Sequence, residues 1–317
     1  MQATRDGFGQ GLLAAAQQND QIVALTADLT ESMRLSKFAQ QFPDRFIQTG
    51  VAEQNMMTVA AGLALRNKIA FVASFAAFNP SLNWAQLRMS VCYSNLNVKV
   101  VGGHTGLTIG PDGATHQALE DLALTRVLSN MTVVIPADAY QAAQATQALA
   151  QKPGPAYLRL AREPCPKITN AVKFQLGQAQ VLRAGTDLTI IACGDLVYRA
   201  LTAAQELAQA QISTQVINLH TLKPLDRQAI IQAAQDTQAI ITVEDHQVIG
   251  GLGSAVAEVL AQAVGQQLPR PVPLKIMGVQ DQFGESGQAK ALLEKYGLGV
   301  HNIVNTAKKL LARLESL

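Results

Sequence analysis

The chain has 317 residues, of which 48% are hydrophobic and 15% charged, with a formal net charge of +2. That length suits two globular units of roughly 100–200 residues each, and the composition excludes a disordered or highly charged protein. With no basic run and no aromatic residues interleaved among cations, neither nucleic acid nor an anionic membrane is an expected partner.

Cys92, Cys165 and Cys193 lie far apart without CxxC spacing, as suits buried thiols in a reducing compartment rather than a disulfide or zinc framework. The first ten residues, MQATRDGFGQ, offer no apolar core for a signal peptide, and no apolar run reaches about 18 residues. A cytoplasmic location is therefore expected.

Apolar β-rich runs alternate with Ala-rich helical stretches along the whole chain, the pattern of crossover-connected parallel sheets. In the first half, strands are predicted at Ile22–Ala27, Ile69–Ser74, Val98–Gly102, Met131–Ile135 and Ala156–Leu160. Helices are predicted at Gly7–Gln18, Gln54–Arg66, Leu82–Ser94, His116–Thr125 and Ala139–Ala150. The proline-containing stretch Glu163–Gly177 reads as a linker. A second series follows, with strands Leu188–Ala192, Gln215–Leu219, Ala239–Glu244 and Pro273–Gly278, and helices Tyr198–Ala210, Arg227–Gln235, Leu252–Val264 and Gln288–Tyr296. The expected architecture is α/β: two three-layer α/β domains with mostly parallel sheets, residues 1–165 and 184–317, joined by a linker over 166–183.

Chemistry concentrates where strands give way to helices. Glu53 stands at an Ala-rich helix start; it is either a first-turn carboxylate favoured by the helix dipole or an acid that shares a proton with a heterocyclic nitrogen. Phe75 and Phe78 share one face just past a strand, suited to the core or to stacking on a flat ring where open α/β sheets bind ligands. The segment from Gly102 to Gln117 carries five glycines, His104, Asp112 and His116. It is too polar and turn-prone for an ordinary connection, and its spacing matches no metal signature, so it suits hydrogen bonding to a polyhydroxylated ligand. Arg159 and Arg162 follow a strand and are either surface charges or phosphate contacts. The Gly250–Ser254 turn lacks a full dinucleotide fingerprint and is expected to be structural.

Together these segments resemble the transketolase family over nearly the whole chain. The resemblance rests on Gly50-Val51-Ala52-Glu53-Gln54-Asn55-Met56, on Ser74 to Phe78, and on His104 to Gln117 with its Asp-Gly-x-Thr-His-Gln ending. Leu222-Lys223-Pro224-Leu225-Asp226, Val243-Glu244-Asp245-His246 and Phe283-Gly284-Glu285-Ser286-Gly287 extend it into the second half. It implies a pyrimidine-binding domain followed by a transketolase C-terminal domain, acting on thiamine diphosphate in ketol transfer between sugar phosphates. By the same resemblance Glu53 would meet the aminopyrimidine, Phe75 and Phe78 would pack on its ring, and Asp28 would also contact the cofactor. His104, Asp112 and His116 would line the sugar channel, with His104 and His116 taking part in catalysis, while Arg5, Ser32 and Arg162 would bind substrate phosphate. Ser81 and Pro111 depart from the residues common in the family, which leaves the sugar open.

Thiamine diphosphate needs Mg2+, and the family's Gly-Asp-Gly and Asn-rich metal site has no counterpart in these 317 residues. The resemblance thus implies half of a split transketolase, with no metal ligands of its own, completed by an N-terminal subunit that holds the diphosphate and Mg2+ in an α2β2 assembly. The β subunit of a 2-oxo-acid dehydrogenase and a deoxyxylulose-phosphate synthase fragment are the alternatives, and a non-catalytic homologue is a third. His104 with Asp112 and His116 argues against the dehydrogenase subunit, which needs no sugar-binding channel, and the synthase family typically has a different residue at the position of His104.

Overall fold

The computed structural model describes residues 1–169 and 173–315. Residues 170–172, inside the expected linker, lie outside it.

The first domain runs α1 (Thr4–Gln18), β1 (Ile22–Thr26), α2 (Ser36–Gln41), β2 (Phe46–Gln48), α3 (Glu53–Leu65), β3 (Ile69–Phe75) and α4 (Trp84–Gln86), which continues as a π-helical stretch over Leu87–Cys92. It then runs β4 (Val98–Gly103), α5 (Asp121–Arg126), β5 (Thr132–Val134), α6 (Ala139–Gln151) and β6 (Ala156–Arg159). The second domain comprises β7 (Gln180–Arg183), β8 (Leu188–Ala192), α7 (Leu196–Gln209), β9 (Thr214–Asn218), β10 (Thr221–Lys223), α8 (Arg227–Asp236), β11 (Ala239–Gln247), α9 (Leu252–Ala263), β12 (Leu274–Val279), α10 (Ala289–Lys295) and α11 (Val300–Glu315).

Among the described residues the first sheet has the order β10-β5-β6-β4-β3-β1-β2 and the second β12-β11-β8-β9-β7. Both are parallel except at one edge each, where β10 pairs antiparallel with β5 and β7 with β9. Parallel strands covered on both faces must be apolar throughout, and β1 and β8 are buried at every position. On one face of the first sheet α1 and α6 enclose Phe8, Leu12, Phe71 and Leu158; on the other α3 encloses Met56, Met57 and Val72. Each fully buried Phe, Leu or Met contributes about 1.5–3 kcal/mol by leaving water. Capping sets two helix starts: Asp138 accepts from the Gln141 N–H at 2.8 Å and Asp226 from the Ala229 N–H at 3.1 Å.

Three predicted features differ. The segment from His116 is not helical; His116 lies in a turn and α5 begins at Asp121. Gln117 and Leu119 are instead held to the second domain, Gln117 Nε2 donating to the Glu285 carbonyl and the Gln247 N–H to that of Leu119, both at 2.9 Å. Strand β7 falls inside the expected linker. Strand β10, from the second domain's sequence, completes the first domain's sheet.

Candidate active site

The parallel strands β1, β3, β4 and β6 end on one edge of the first sheet, and the loops there carry the predicted residues. Glu53 starts α3 and is buried. The Ser74 hydroxyl, at the end of β3, donates to Glu53 Oε1 at 2.9 Å. Asn83 Nδ2 donates to the Glu53 carbonyl at 3.1 Å and to Asn79 Oδ1 at 3.0 Å, tying the helix start to the turn after β3. Among the described residues no donor reaches Glu53 Oε2.

Phe75 and Phe78 lie nearly parallel, with centroids 6.5 Å apart and planes at 17°. His104 lies against Phe75 at 4.0 Å, and His116 meets Phe78 edge-on at 5.3 Å and 83°. Four rings expected to share a site therefore form one cluster. His104 has a φ of 56°, a left-handed conformation uncommon outside glycine and one that carries some strain, of the kind found at ligand sites.

Arg5, in the first turn of α1, donates from Nη1 to His104 Nε2 at 2.8 Å and to the Ser32 carbonyl at 3.2 Å. An imidazole that accepts at Nε2 carries its proton on Nδ1, and His104 Nδ1 is buried with no partner among the described residues. Burial, then the charges of Arg5, Arg162 and Arg34, pull the His104 pKa down to about 3. We expect its ring resonances to stay unchanged between about pH 5 and pH 8, where an ordinary imidazole titrates. A midpoint near neutrality in a histidine-selective NMR titration would show that Arg5 does not donate to it.

The other predicted residues occupy the rim. Arg162 Nη1 lies 3.7 Å from Asp112 Oδ1 and donates to the Ile109 carbonyl at 2.9 Å. His116 Nδ1 is 2.9 Å from the Thr115 hydroxyl. Ser32 enters through its backbone carbonyl. Asp28 is exposed on the loop after β1 with a φ of 59°, its N–H donating to Gln48 Oε1 at 2.7 Å. Arg34, in the turn before α2, which no sequence motif singles out, adds a third guanidinium near His104 and pairs with Asp6 at 2.6 Å.

Arg159 is not available to a ligand. It is buried and donates to Asp121 from Nε at 2.8 Å and Nη2 at 3.2 Å, and to the Asp245 carbonyl at 2.8 Å. Tyr157 also donates to Asp121 at 2.6 Å. Burial acts to raise the Asp121 pKa, but Arg159 outweighs it and holds the carboxyl below its ordinary range. The Gly250–Ser254 turn is structural, as expected: the Glu244 carboxylate accepts from the Leu252 and Gly253 N–H groups at 2.6 and 2.8 Å, filling the start of α9 where a phosphate would otherwise sit. Among the described residues no three His, Cys, Asp or Glu side chains are grouped to hold a metal ion.

Residues 1–167 match the transketolase pyrimidine binding domain and residues 177–303 the transketolase C-terminal domain. The chain belongs to the transketolase family. It is 44% identical to the 6-deoxy-6-sulfo-D-fructose transketolase subunit of Clostridium sp. (strain MSTE9), across 98% of this chain and 94% of that protein. It is 38% identical to one of the subunits of the apulose-4-phosphate transketolase of Phocaeicola vulgatus, across 97% of each. The solved structure of a split gene transketolase, described as an inactive beta4 tetramer, superposes with a TM-score of 0.90 at 44% identity, covering 98% of this chain and 99% of that one. Campylobacter jejuni transketolase shares the fold with a TM-score of 0.81 at 23% identity; 97% of this chain is covered but only 46% of that one.

Proposed function

We propose that this chain is the pyrimidine-activating, sugar-lining half of a split transketolase. The observation that carries the reading is the cluster of Glu53, Phe75, Phe78, His104 and His116 on one sheet edge, in a transketolase-family chain. The cluster fits an aminopyrimidine and a sugar: a buried carboxyl with one oxygen free of donors, a stacked phenylalanine pair, and a buried imidazole N–H lacking an acceptor.

When bound, thiamine diphosphate supplies the carbanion-stabilising centre of ketol transfer. Glu53 Oε2 takes the proton-sharing contact with the pyrimidine nitrogen, while Ser74 fixes the carboxyl plane through Oε1. Phe75 and Phe78 hold the ring, with Asp28 nearby on the same edge. His104 stays neutral under Arg5 and offers Nδ1–H to a sugar hydroxyl; His116 meets both phenylalanines edge-on. Arg5 and Arg162 bind the tetrahedral anion at the sugar's far end, assisted at Ser32, with Asp112 on a substrate hydroxyl. The relatives named for a sulfo sugar and a sugar phosphate both carry such an anion in their substrates' names.

Mg2+ and the diphosphate are assigned to a complementary N-terminal subunit, in an α2β2 assembly. Exposed Val51 and Leu82, beside the Glu53 helix start and its neighbouring turn, together with exposed Met89 and Tyr93 on the π-helical stretch and just past it, suit a surface covered by another subunit. The buried thiols of Cys92 and Cys165, pushed up to about 12 by burial, suit a reducing cytoplasm, and no helix among the described residues is long and apolar enough to cross a membrane.

The test is calorimetry and ketol transfer with thiamine diphosphate and Mg2+, on the chain alone and after adding the complementary subunit. Tight cofactor binding and transfer are expected only in the second case. Transfer by the chain alone would overturn the split-enzyme reading.

A further inference from the structure

The second sheet has a topological switch point. From β8 the chain crosses by α7 to β9 on one side, and from β11 it crosses by α9 to β12 on the other, while β8 and β11 are neighbours. Open α/β sheets bind their ligands in the crevice outside the strand ends at such a point. Here the crevice holds a piece of the first domain. Asp245, on β11, accepts from the Leu107 N–H through Oδ1 at 2.9 Å and from the Thr108 N–H through Oδ2 at 3.3 Å. The Leu107 side chain joins the buried cluster of Leu188, Leu196 and Val243 in the second domain.

Gly106 has a φ of 70°, and a Cβ there would collide with the Asp245 carboxylate, so the loop approaches this group as closely as backbone allows. Arg159, locked to Asp121, donates to the Asp245 carbonyl and ties the gripping residue back to the first domain. Three residues upstream of Leu107 lies His104, and the loop ends at His116.

We propose that Asp245 is a positioning residue: from the second domain's switch-point crevice it grips the Leu107 and Thr108 N–H groups and fixes the loop carrying His104 and His116. The second domain thus serves as the template of the sugar-facing loop. The catalytic consequence rests on the function proposed above; the grip itself does not.

Hydrogen exchange of the purified chain tests the grip. In the wild type the Leu107 and Thr108 amides should exchange as slowly as Ile190 and Ile241 in the sheet behind them. Asp245→Asn presents an amide N–H where one acceptor stood, so exchange at Leu107 and Thr108 should rise about tenfold or more. Burial and then the Asp195 carboxyl hold the Asp245 pKa above its ordinary range, so the amide also relieves repulsion between buried carboxyls. Ile190 and Ile241 should therefore keep their protection. Gly106→Ala, which disturbs the same contact from the loop side, should give the same local signature.

Fast exchange at Leu107 and Thr108 in the wild type would overturn the proposal. So would unchanged exchange there in the variants, or an equal rise across the second sheet. In the complex with the complementary subunit, Asp245→Asn should lower kcat for ketol transfer about tenfold while cofactor affinity stays at the wild-type value. An unchanged kcat alongside loosened amides would leave the grip without catalytic consequence and overturn the positioning role, whereas a wild-type complex without transfer would sink the proposed function instead.

Discussion

Glu53→Gln is expected to leave the fold intact and to slow ketol transfer by the reconstituted complex by about 10²–10⁴-fold. The amide keeps the carboxyl's shape, and its oxygen can still accept from the Ser74 hydroxyl that lies 2.9 Å from Glu53 Oε1. What it lacks is the proton-sharing oxygen on the other side. The loss should appear in exchange of the cofactor's thiazolium proton, followed by NMR, and not in the chain's unfolding curve. Wild-type exchange in the variant complex would remove Glu53 from the activating role. A large shift in unfolding would show instead that its main duty is to hold the start of α3.

Arg159→Met is expected to cost about 3–5 kcal/mol of stability, measured by urea unfolding, because it strands a buried carboxylate. Asp121 has no exposure, and its remaining side-chain donor is the Tyr157 hydroxyl. The same change empties the donors that reach the Ala118 and Asp245 carbonyls. Adding Asp121→Leu should recover a large part of the loss, since an apolar pair of similar volume needs no compensation. A single variant within about 1 kcal/mol of wild type would mean that Asp121 takes up a proton at little cost and that the pair is not a strut.

Most of the strands were legible because each is a largely apolar run between turn residues, and β8 matches its predicted span, Leu188–Ala192. Strands β2 and β10 were not: each has three residues and no longer apolar run around it, unlike β5, which sits inside the apolar run Met131–Ile135. Thr221-Leu222-Lys223 carries no pattern of its own and becomes a strand because β5 lies beside it. The helix predicted from His116 failed for the opposite reason. Its residues favour helix locally, but Glu285 and Gln247 of the second domain hold Gln117 and Leu119 outside any helix, and tertiary contacts override propensity.

Within the site, motif spacing pointed to Glu53, the two phenylalanines and the His-rich loop. It could not show that Arg159 meets Asp121, 38 positions upstream, or that Arg5 sets the tautomer of His104 across 99 positions. Those pairings exist only once the sheet has brought the ends of β4 and β6 together.

The placement of β10 bears on how the molecule can be divided. A fragment stopping at the family boundary near residue 167 would lose the strand that covers β5. The three buried residues of β5 would then form a bare sheet margin, with unpaired N–H and C=O groups open to any other chain. Two units distinct in sequence are thus a single folding partnership, in which one lends the other its selvedge and neither can be cut free without fraying.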